Sequence, residues 1–163
     1  MPFTPFHMGP GMLLKALLQG SFSLMVFGWA QILMDIQPLV VMLTGEGHLH
    51  GFSHTYVGAT LIGLAAALTG KYAAEWGLRI IREERFLPLR WPVTVVSALI
   101  GAYSHVVIDS IMHADMEPFA PWSSANDLLS LLPIDVLHWV CIGSGVVGLI
   151  IYLAVTGWHK RAG

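Results

Sequence analysis

The sequence predicts an all-α fold, that of a polytopic helical membrane protein built as one membrane-embedded domain over residues 1–163. Hydrophobic residues make up 55% of the chain and charged residues only 11%, and the mean hydropathy is +0.68. Soluble domains carry about 25% charged residues. So few charges cannot cover a water-exposed surface, and we therefore expect lipid to face much of the protein.

Three stretches have the roughly 20 apolar residues that a membrane-spanning helix needs. They are residues 52–70, 91–112 and 134–157. Residues 12–34 are long enough as well, but Lys15, Gln19 and the pair Gly20-Ser21 interrupt them. This segment is either a fourth span or a helical hairpin that turns at residues 19–21, and periodicity does not decide between the two.

The basic residues give an orientation. Residues 71–90 hold five of the eight Lys and Arg residues, and Lys160 and Arg161 follow near the C-terminus, whereas residues 35–51 and 113–133 have none. The positive-inside rule therefore places residues 71–90 and the C-terminus in the cytoplasm. We expect an inner or plasma membrane protein whose other face looks to the periplasm or exterior. Residues 71–90 are expected to include an amphipathic surface helix, and the start of the chain lacks the features of a cleaved signal peptide.

The composition also narrows the class of partner. The net charge of −2 leaves no basic face for the phosphates of a nucleic acid, so we expect no nucleic-acid partner. The single cysteine, Cys141, excludes an internal disulfide and a cysteine-based metal site. A bilayer and a lipid or other small-molecule substrate remain as partners, and the oligomeric state stays open.

Ionisable residues gather at the predicted outer face. His105, Asp109 and His113 follow one another at four-residue steps near the end of the span 91–112, a spacing that places helical residues on one face. Glu117 continues the same step, but Pro118 disfavours helical geometry at the residue before it, which predicts that Glu117 lies beyond the helix.

Other ionisable residues come from neighbouring segments. His50 and His54 lie at the outer start of the span 52–70, and Asp35 ends the first apolar segment. Ionisable groups at membrane depth usually serve a function, and a carboxylate there is costly unless it is paired or bound to an ion. Imidazole and carboxylate ligands suit zinc, manganese and iron. We therefore predict a divalent metal, zinc before the others, in a site that includes His50, His54, His105, Asp109 and His113.

Four motifs resemble the membrane-bound metal-dependent hydrolases of the YdjM-like group. They are MPFTPFH, MDIQP, HGFSHTYVGA and GAYSHVVIDSIMHADMEPFAPWS, and the resemblance covers residues 1 to about 133. It implies metal ligands at His7, Asp35, His50, His54, His105 and Asp109, in a pattern similar to zinc-dependent phospholipase C. If His7 and Asp35 share one site, both lie at the outer face, and the resemblance then favours the hairpin for residues 12–34.

These observations lead to the expectation of a membrane-bound hydrolase. A zinc-type ion makes water reactive near neutral pH, and Asp35 or Glu117 is the predicted proton acceptor and catalytic residue. The predicted substrate is a phosphoester or acyl group at the outer leaflet. Three alternatives stay open: a haem-binding or electron-transfer protein, in which paired His residues ligate iron; a metal transporter; and a noncatalytic membrane scaffold.

Overall fold

The described part of the chain forms six α-helices, and its longest connection lies between residues 112 and 134. This computed structural model describes the backbone of residues 5–162 and the side chains of residues 5–158, and it contains no β-strand within those ranges. Single 3-10 turns occur at Pro5–His7, Gln19–Ser21, Phe52–His54 and Glu84–Phe86. The helices are α1 (Met8–Leu18), α2 (Leu24–Met34), α3 (Ile36–Thr44), α4 (Tyr56–Ile80), α5 (Trp91–Met112) and α6 (Ile134–Ala162).

Within the described residues, four helical segments are long and apolar enough to cross a membrane. They are Leu24–Thr44, which joins α2 and α3, and Tyr56–Ile80, Trp91–Met112 and Ile134–Trp158. The expected all-α membrane fold is confirmed. Their lengths of 21 to 25 residues match the hydrocarbon thickness of a bilayer.

The first apolar segment forms the hairpin rather than one continuous span. The chain turns through Gln19–Ser21, where Gln19 adopts a positive φ of 47°. The ammonium of Lys15 donates hydrogen bonds to the carbonyl oxygens of Gln19 (2.7 Å) and Phe22 (2.9 Å). These carbonyls flank the turn, and the backbone donor to the Gln19 oxygen is the Phe22 N–H at 3.4 Å. Lys15 therefore supplies a stronger donor and stabilises the reversal of the chain. The Ser23 hydroxyl then caps α2 by accepting from the Val26 N–H at 3.4 Å.

Residues 36–44 are helical, although the sequence predicts a connection over residues 35–51, between the apolar segments 12–34 and 52–70. A proline has no N–H and its ring collides with the carbonyl four residues before it. Pro38 therefore stops the hydrogen-bond ladder of α2 at Met34, and it is tolerated within the first turn of α3. Asp35 sits at the joint between the two helices, and the connection that follows begins at Gly45, whose φ is +74°.

Helix α4 also extends further than expected. The prediction ended this span at residue 70 and placed a separate surface helix within residues 71–90, but the helix continues to Ile80. Lys71 and Glu75 are both buried and form an ion pair. Lys71 also donates to the carbonyl oxygen of Leu89 (2.6 Å), and the Leu89 N–H donates to Glu75 (3.0 Å). Because each charge is satisfied, the helix can bury both.

Helices α2, α4 and α5 pack together, and α1 packs mainly against α6. Glycines permit the closest approaches. A Cβ at Gly9 would lie 1.9 Å from the carbonyl oxygen of Cys141, and one at Gly148 would lie 2.5 Å from the Leu13 nitrogen. Close backbone contact of this kind is how helices associate in lipid. The hairpin thus joins α6 to the rest of the bundle.

Candidate functional site

Five of the predicted site residues converge at one end of the bundle. His7 directly precedes α1, Asp35 follows α2, and His54 lies two residues before α4, while His105 and Asp109 occupy the last two turns of α5. None of the five is more than 5% exposed. Four separate segments of the chain therefore bring their ionisable groups to one buried point, which we call the central cluster.

Asp109 connects the members of the central cluster. Its Oδ1 lies 3.1 Å from His7 Nε2, and its Oδ2 lies 3.2 Å from His105 Nε2 and 3.4 Å from His54 Nε2. The Nε2 atoms of His54 and His105 are 3.2 Å apart, and Asp35 Oδ1 is 3.6 Å from His105 Nε2. The Nε2 atoms of three imidazoles and the oxygens of two carboxylates thus face one another.

Two neutral polar residues orient the histidines. Gln31 Nε2 donates to the Gly101 carbonyl oxygen at 3.0 Å, which fixes its Oε1 as the atom 2.6 Å from His105 Nδ1. His105 therefore donates from Nδ1, and in its neutral form it keeps a lone pair on Nε2. Ser53 Oγ lies 2.8 Å from His54 Nδ1. The sequence reasoning missed both residues; the available signal for Gln31 was a polar side chain inside an apolar helix, one turn before Asp35.

The central cluster brings together side chains that could hold a divalent cation. The ligand atoms of His7, His105 and Asp109 lie within 4.8 Å of one another, and so do those of Asp35, His54 and His105. At least one Nε2 lone pair and the carboxylate oxygens converge there, and such nitrogen and oxygen donors suit zinc, manganese or iron. In a metal-binding histidine, the ring nitrogen that does not bind the metal usually donates a hydrogen bond to a fixed partner. His105 makes such a hydrogen bond from Nδ1 to Gln31.

A second layer of residues lies over the central cluster. The rings of His50 and His113 stack with their centroids 4.2 Å apart, and their ligand atoms come within 4.8 Å of an oxygen of Asp109. His50 Nδ1 also lies 2.8 Å from Asp115, a residue that the sequence reasoning did not single out. Partial burial raises the pKa of Asp115, but hydrogen bonding and charge attraction from His50 outweigh this and hold the pKa below its ordinary value.

His113 belongs to this layer without extending the helical ladder. Helix α5 ends at Met112, and His113 has an extended backbone (φ −117°, ψ 122°). Its N–H donates to the carbonyl oxygen of Asp109 at 2.9 Å, which closes the helix. Burial, and after it the nearby His50, lower the pKa of His113. A neutral imidazole next to another imidazole is the form able to bind a cation.

Glu117 is the one predicted site residue that the fold does not bring to either layer. It lies beyond α5, as Pro118 predicted, and its side chain is exposed. It lines a cleft of about 460 Å³ whose wall also includes His50 and Asp115 of the second layer. Among the described residues, none of the three groups with converging ligand atoms includes Glu117. Asp35, which does belong to the central cluster, is therefore the better placed of the two predicted proton acceptors.

In comparisons with known proteins, no family model, no curated protein and no solved structure matched the chain.

Proposed function

We propose that this protein is a membrane-bound, metal-dependent hydrolase that acts on a phosphoester or acyl ester at the lipid–water boundary. One observation carries the proposal: the central cluster is buried inside an apolar bundle, and its three histidines and two aspartates come from four separate segments of the chain. Burying that many ionisable groups is costly and serves a function more often than a structural purpose.

The proposal divides the roles among these residues. His7, His54, His105 and Asp109 would hold the ion, and His50 and His113 would provide further ligands through the shared Asp109. When bound, a zinc-type cation supplies Lewis acidity, which makes water reactive near neutral pH. Zinc fits this donor set best, and manganese or iron would also be accepted.

We assign Asp35 the role of general base. Its Oδ1 lies 3.6 Å from His105 Nε2, farther than Asp109 Oδ2 does at 3.2 Å. Asp35 would take a proton from the attacking water, whose oxygen bonds to the phosphorus or carbonyl carbon. The bond to the alcohol oxygen then breaks, and the proton passes to that oxygen. General-base catalysis of this kind contributes about 10² to 10⁴ in rate.

The membrane placement is part of the same proposal. The basic residues of segment 71–90 favour a cytoplasmic position for that connection, which would turn the central cluster toward the periplasm or exterior. An added cysteine at exposed Ser123 should react with an impermeant maleimide in intact cells, whereas one at exposed Arg82 should react after permeabilisation only. Native Cys141 is buried and gives a low background. The reverse labelling pattern would invert the proposed orientation.

The main experiment measures metal content and hydrolysis in the same detergent-purified samples. Alanine at His105 or Asp109 should remove bound metal and activity toward a chromogenic phosphodiester or carboxyl ester. Asparagine at Asp35 should keep most of the metal and lose hydrolysis. The matched control is His48→Ala, because His48 lies at the same end of the bundle with an exposed side chain. Metal content equal to wild type in both His105→Ala and Asp109→Ala would refute the proposal.

The haem alternative is less well supported by the geometry. An axial histidine pair must leave room for the macrocycle between the two rings, but His54 Nε2 and His105 Nε2 are 3.2 Å apart with Asp109 against both. A Soret band in the purified protein would favour haem, and its absence together with bound zinc would favour the hydrolase.

A further inference from the structure

An apolar groove of about 640 Å³ leads away from the central cluster along α2. Asp35 and Gln31 lie at the cluster end, and the remaining lining is apolar or glycine, contributed by α2, by α4 and by the residues around the start of α1. Ile32 and Trp76 on its rim are 44% and 67% exposed and belong to candidate membrane spans. The open side of the groove therefore faces hydrocarbon.

We propose that this groove binds the acyl chain of one bilayer lipid and presents the ester of that lipid to the central cluster. The inference rests on the proposed function and deepens it, because it names the substrate class as a lipid with a long acyl chain. The ligand carries a phosphoester or carboxyl ester at the end of the chain that meets Asp35.

The part of the groove that lies along α2 is about as long as the hydrocarbon layer of one leaflet. Its lining on α2 runs from Leu24 to Asp35, a difference of eleven residues. At 1.5 Å per residue this corresponds to about 16 Å. Half of the roughly 30 Å hydrocarbon core of a bilayer is about the same length. The volume also lies within the range of about 300 to 1,000 Å³ that is usual for ligand pockets.

Two glycines keep the groove open without serving helix contact. A Cβ at Gly28 would meet only the end of the Met8 side chain (3.1 Å), and one at Gly77 only the end of Met25 (3.4 Å). At Gly101, by contrast, a Cβ would lie 2.8 Å from the backbone oxygen of Phe27. Close backbone packing therefore requires Gly101, whereas Gly28 and Gly77 border adaptable methionine side chains. Their absent side chains leave space along the groove.

The groove also continues directly into the proposed chemistry. Asp35 lines its end and lies 3.6 Å from His105 Nε2, and Gln31 lines it while holding His105 Nδ1. A chain lying along α2 would thus carry its polar end to the proposed general base. The groove differs in this respect from the exposed apolar face of α6. Among the described residues, no group of converging ionisable side chains lies on that face.

The test uses full-length protein in phosphatidylcholine vesicles that contain phosphatidylcholine with a photoactivatable acyl chain. In wild type, crosslinks should concentrate on Met25, Ile32 and Trp76. Leucine at Gly28 or Gly77 should lower that crosslinking roughly tenfold, since excluding two methylene groups from burial costs about that factor. The matched control is Gly143→Leu on α6, where a Cβ would meet nothing within 4 Å, and its groove crosslinking should equal wild type.

Equal crosslinking on the groove and on α6 in wild type would overturn the proposal, and this comparison needs no variant to fold. Unchanged groove crosslinking in both leucine variants would overturn it as well. Metal content, measured on the same vesicles, shows whether the lipid-groove proposal or the proposed hydrolase function has failed. Bound metal with uniform crosslinking overturns the groove alone, whereas groove crosslinking without metal supports the lipid site and counts against hydrolysis.

Discussion

Gln31 is expected to control the metal affinity that we propose for the central cluster, although it is not one of the proposed ligands. Its Oε1 accepts a hydrogen bond from His105 Nδ1 at 2.6 Å, and its Nε2 donates to the Gly101 carbonyl oxygen at 3.0 Å. Replacement by leucine keeps the side-chain volume similar and removes the acceptor. The His105 ring then loses the contact that fixes its tautomer and its orientation toward the central cluster.

The size of the effect follows from the partners that are lost. Removing the fixed acceptor behind a metal-binding histidine costs about 10- to 100-fold in metal affinity, or about 1.4 to 2.7 kcal/mol. The buried Nδ1–H of His105 is also left without its partner, which costs about 1 to 3 kcal/mol of folding stability. We therefore expect Gln31→Leu to fold with a lowered melting temperature and to release zinc at a lower chelator concentration than wild type.

A competition titration with a zinc chelator measures this affinity directly. Ser104→Ala is the matched control, because Ser104 contacts the same Gln31 amide at 3.4 Å and does not touch His105 in that network. Its zinc affinity should stay within about twofold of wild type, an interval of roughly 0.4 kcal/mol. The reasoning is refuted if Gln31→Leu binds zinc as tightly as wild type, or if Ser104→Ala weakens binding to the same degree.

Three further changes test other parts of the structure. Lys71→Met should destabilise the folded protein by about 3 to 5 kcal/mol, because it leaves Glu75 charged and buried without its partner. Adding Glu75→Leu should recover part of this loss, measured by unfolding in detergent. If the double variant recovers no stability, the proposed pairing is contradicted. Lys15→Met should cost about 1 to 3 kcal/mol by removing the donor from the hairpin carbonyls, and a melting temperature equal to that of Lys15→Arg would argue against this role. His113→Ala should lower the metal bound per chain without emptying the site, since His113 reaches the central cluster only through the shared Asp109. Complete metal loss would count against two layers.

The position of the cluster could be predicted because charge in an apolar sequence is conspicuous. His54, His105 and Asp109 have few explanations within spanning helices other than pairing or ion binding. The four-residue step in α5 then fixed a common face before any contact was known. His7 followed from the resemblance alone, because one histidine near the start of the chain has no pattern that points to a partner 102 residues away.

The partners that orient the cluster could not be predicted in the same way. Gln31 and Ser53 are neutral, and no spacing distinguishes them from other polar residues in helices. Asp115 lies in a connection, where an acidic residue is ordinarily solvated, and its contact with His50 depends on how two connections fold together. Such contacts are set by tertiary packing, which periodicity does not encode.

The helix boundaries show where charge misleads as a marker. The sequence predicts that a span ends just before Lys71. In the fold, however, Lys71 remains within the helix because it forms an ion pair with Glu75 and donates a hydrogen bond to the Leu89 carbonyl oxygen. Residues 36–44 lie between the predicted apolar segments 12–34 and 52–70, so the sequence predicts a connection there, whereas the fold places helix α3 over these residues. The hairpin at residues 19–21 stayed undecided because Gly20-Ser21 permits a turn without requiring one, and the carbonyl contacts of Lys15 become visible only in the fold.

The packing of α1 against α6 has a consequence for the order in which the protein is made. His7 is the first cluster residue to leave the ribosome, but its helix is held mainly by α6, through contacts as close as those at Gly9 and Gly148. Of the six described helices, α6 is the last to be synthesised. The nascent chain can therefore insert α2, α4 and α5 and bring four of the five central groups together while the fifth still waits for its support. The central cluster is therefore expected to be completed late in biogenesis, after α6 has entered the membrane.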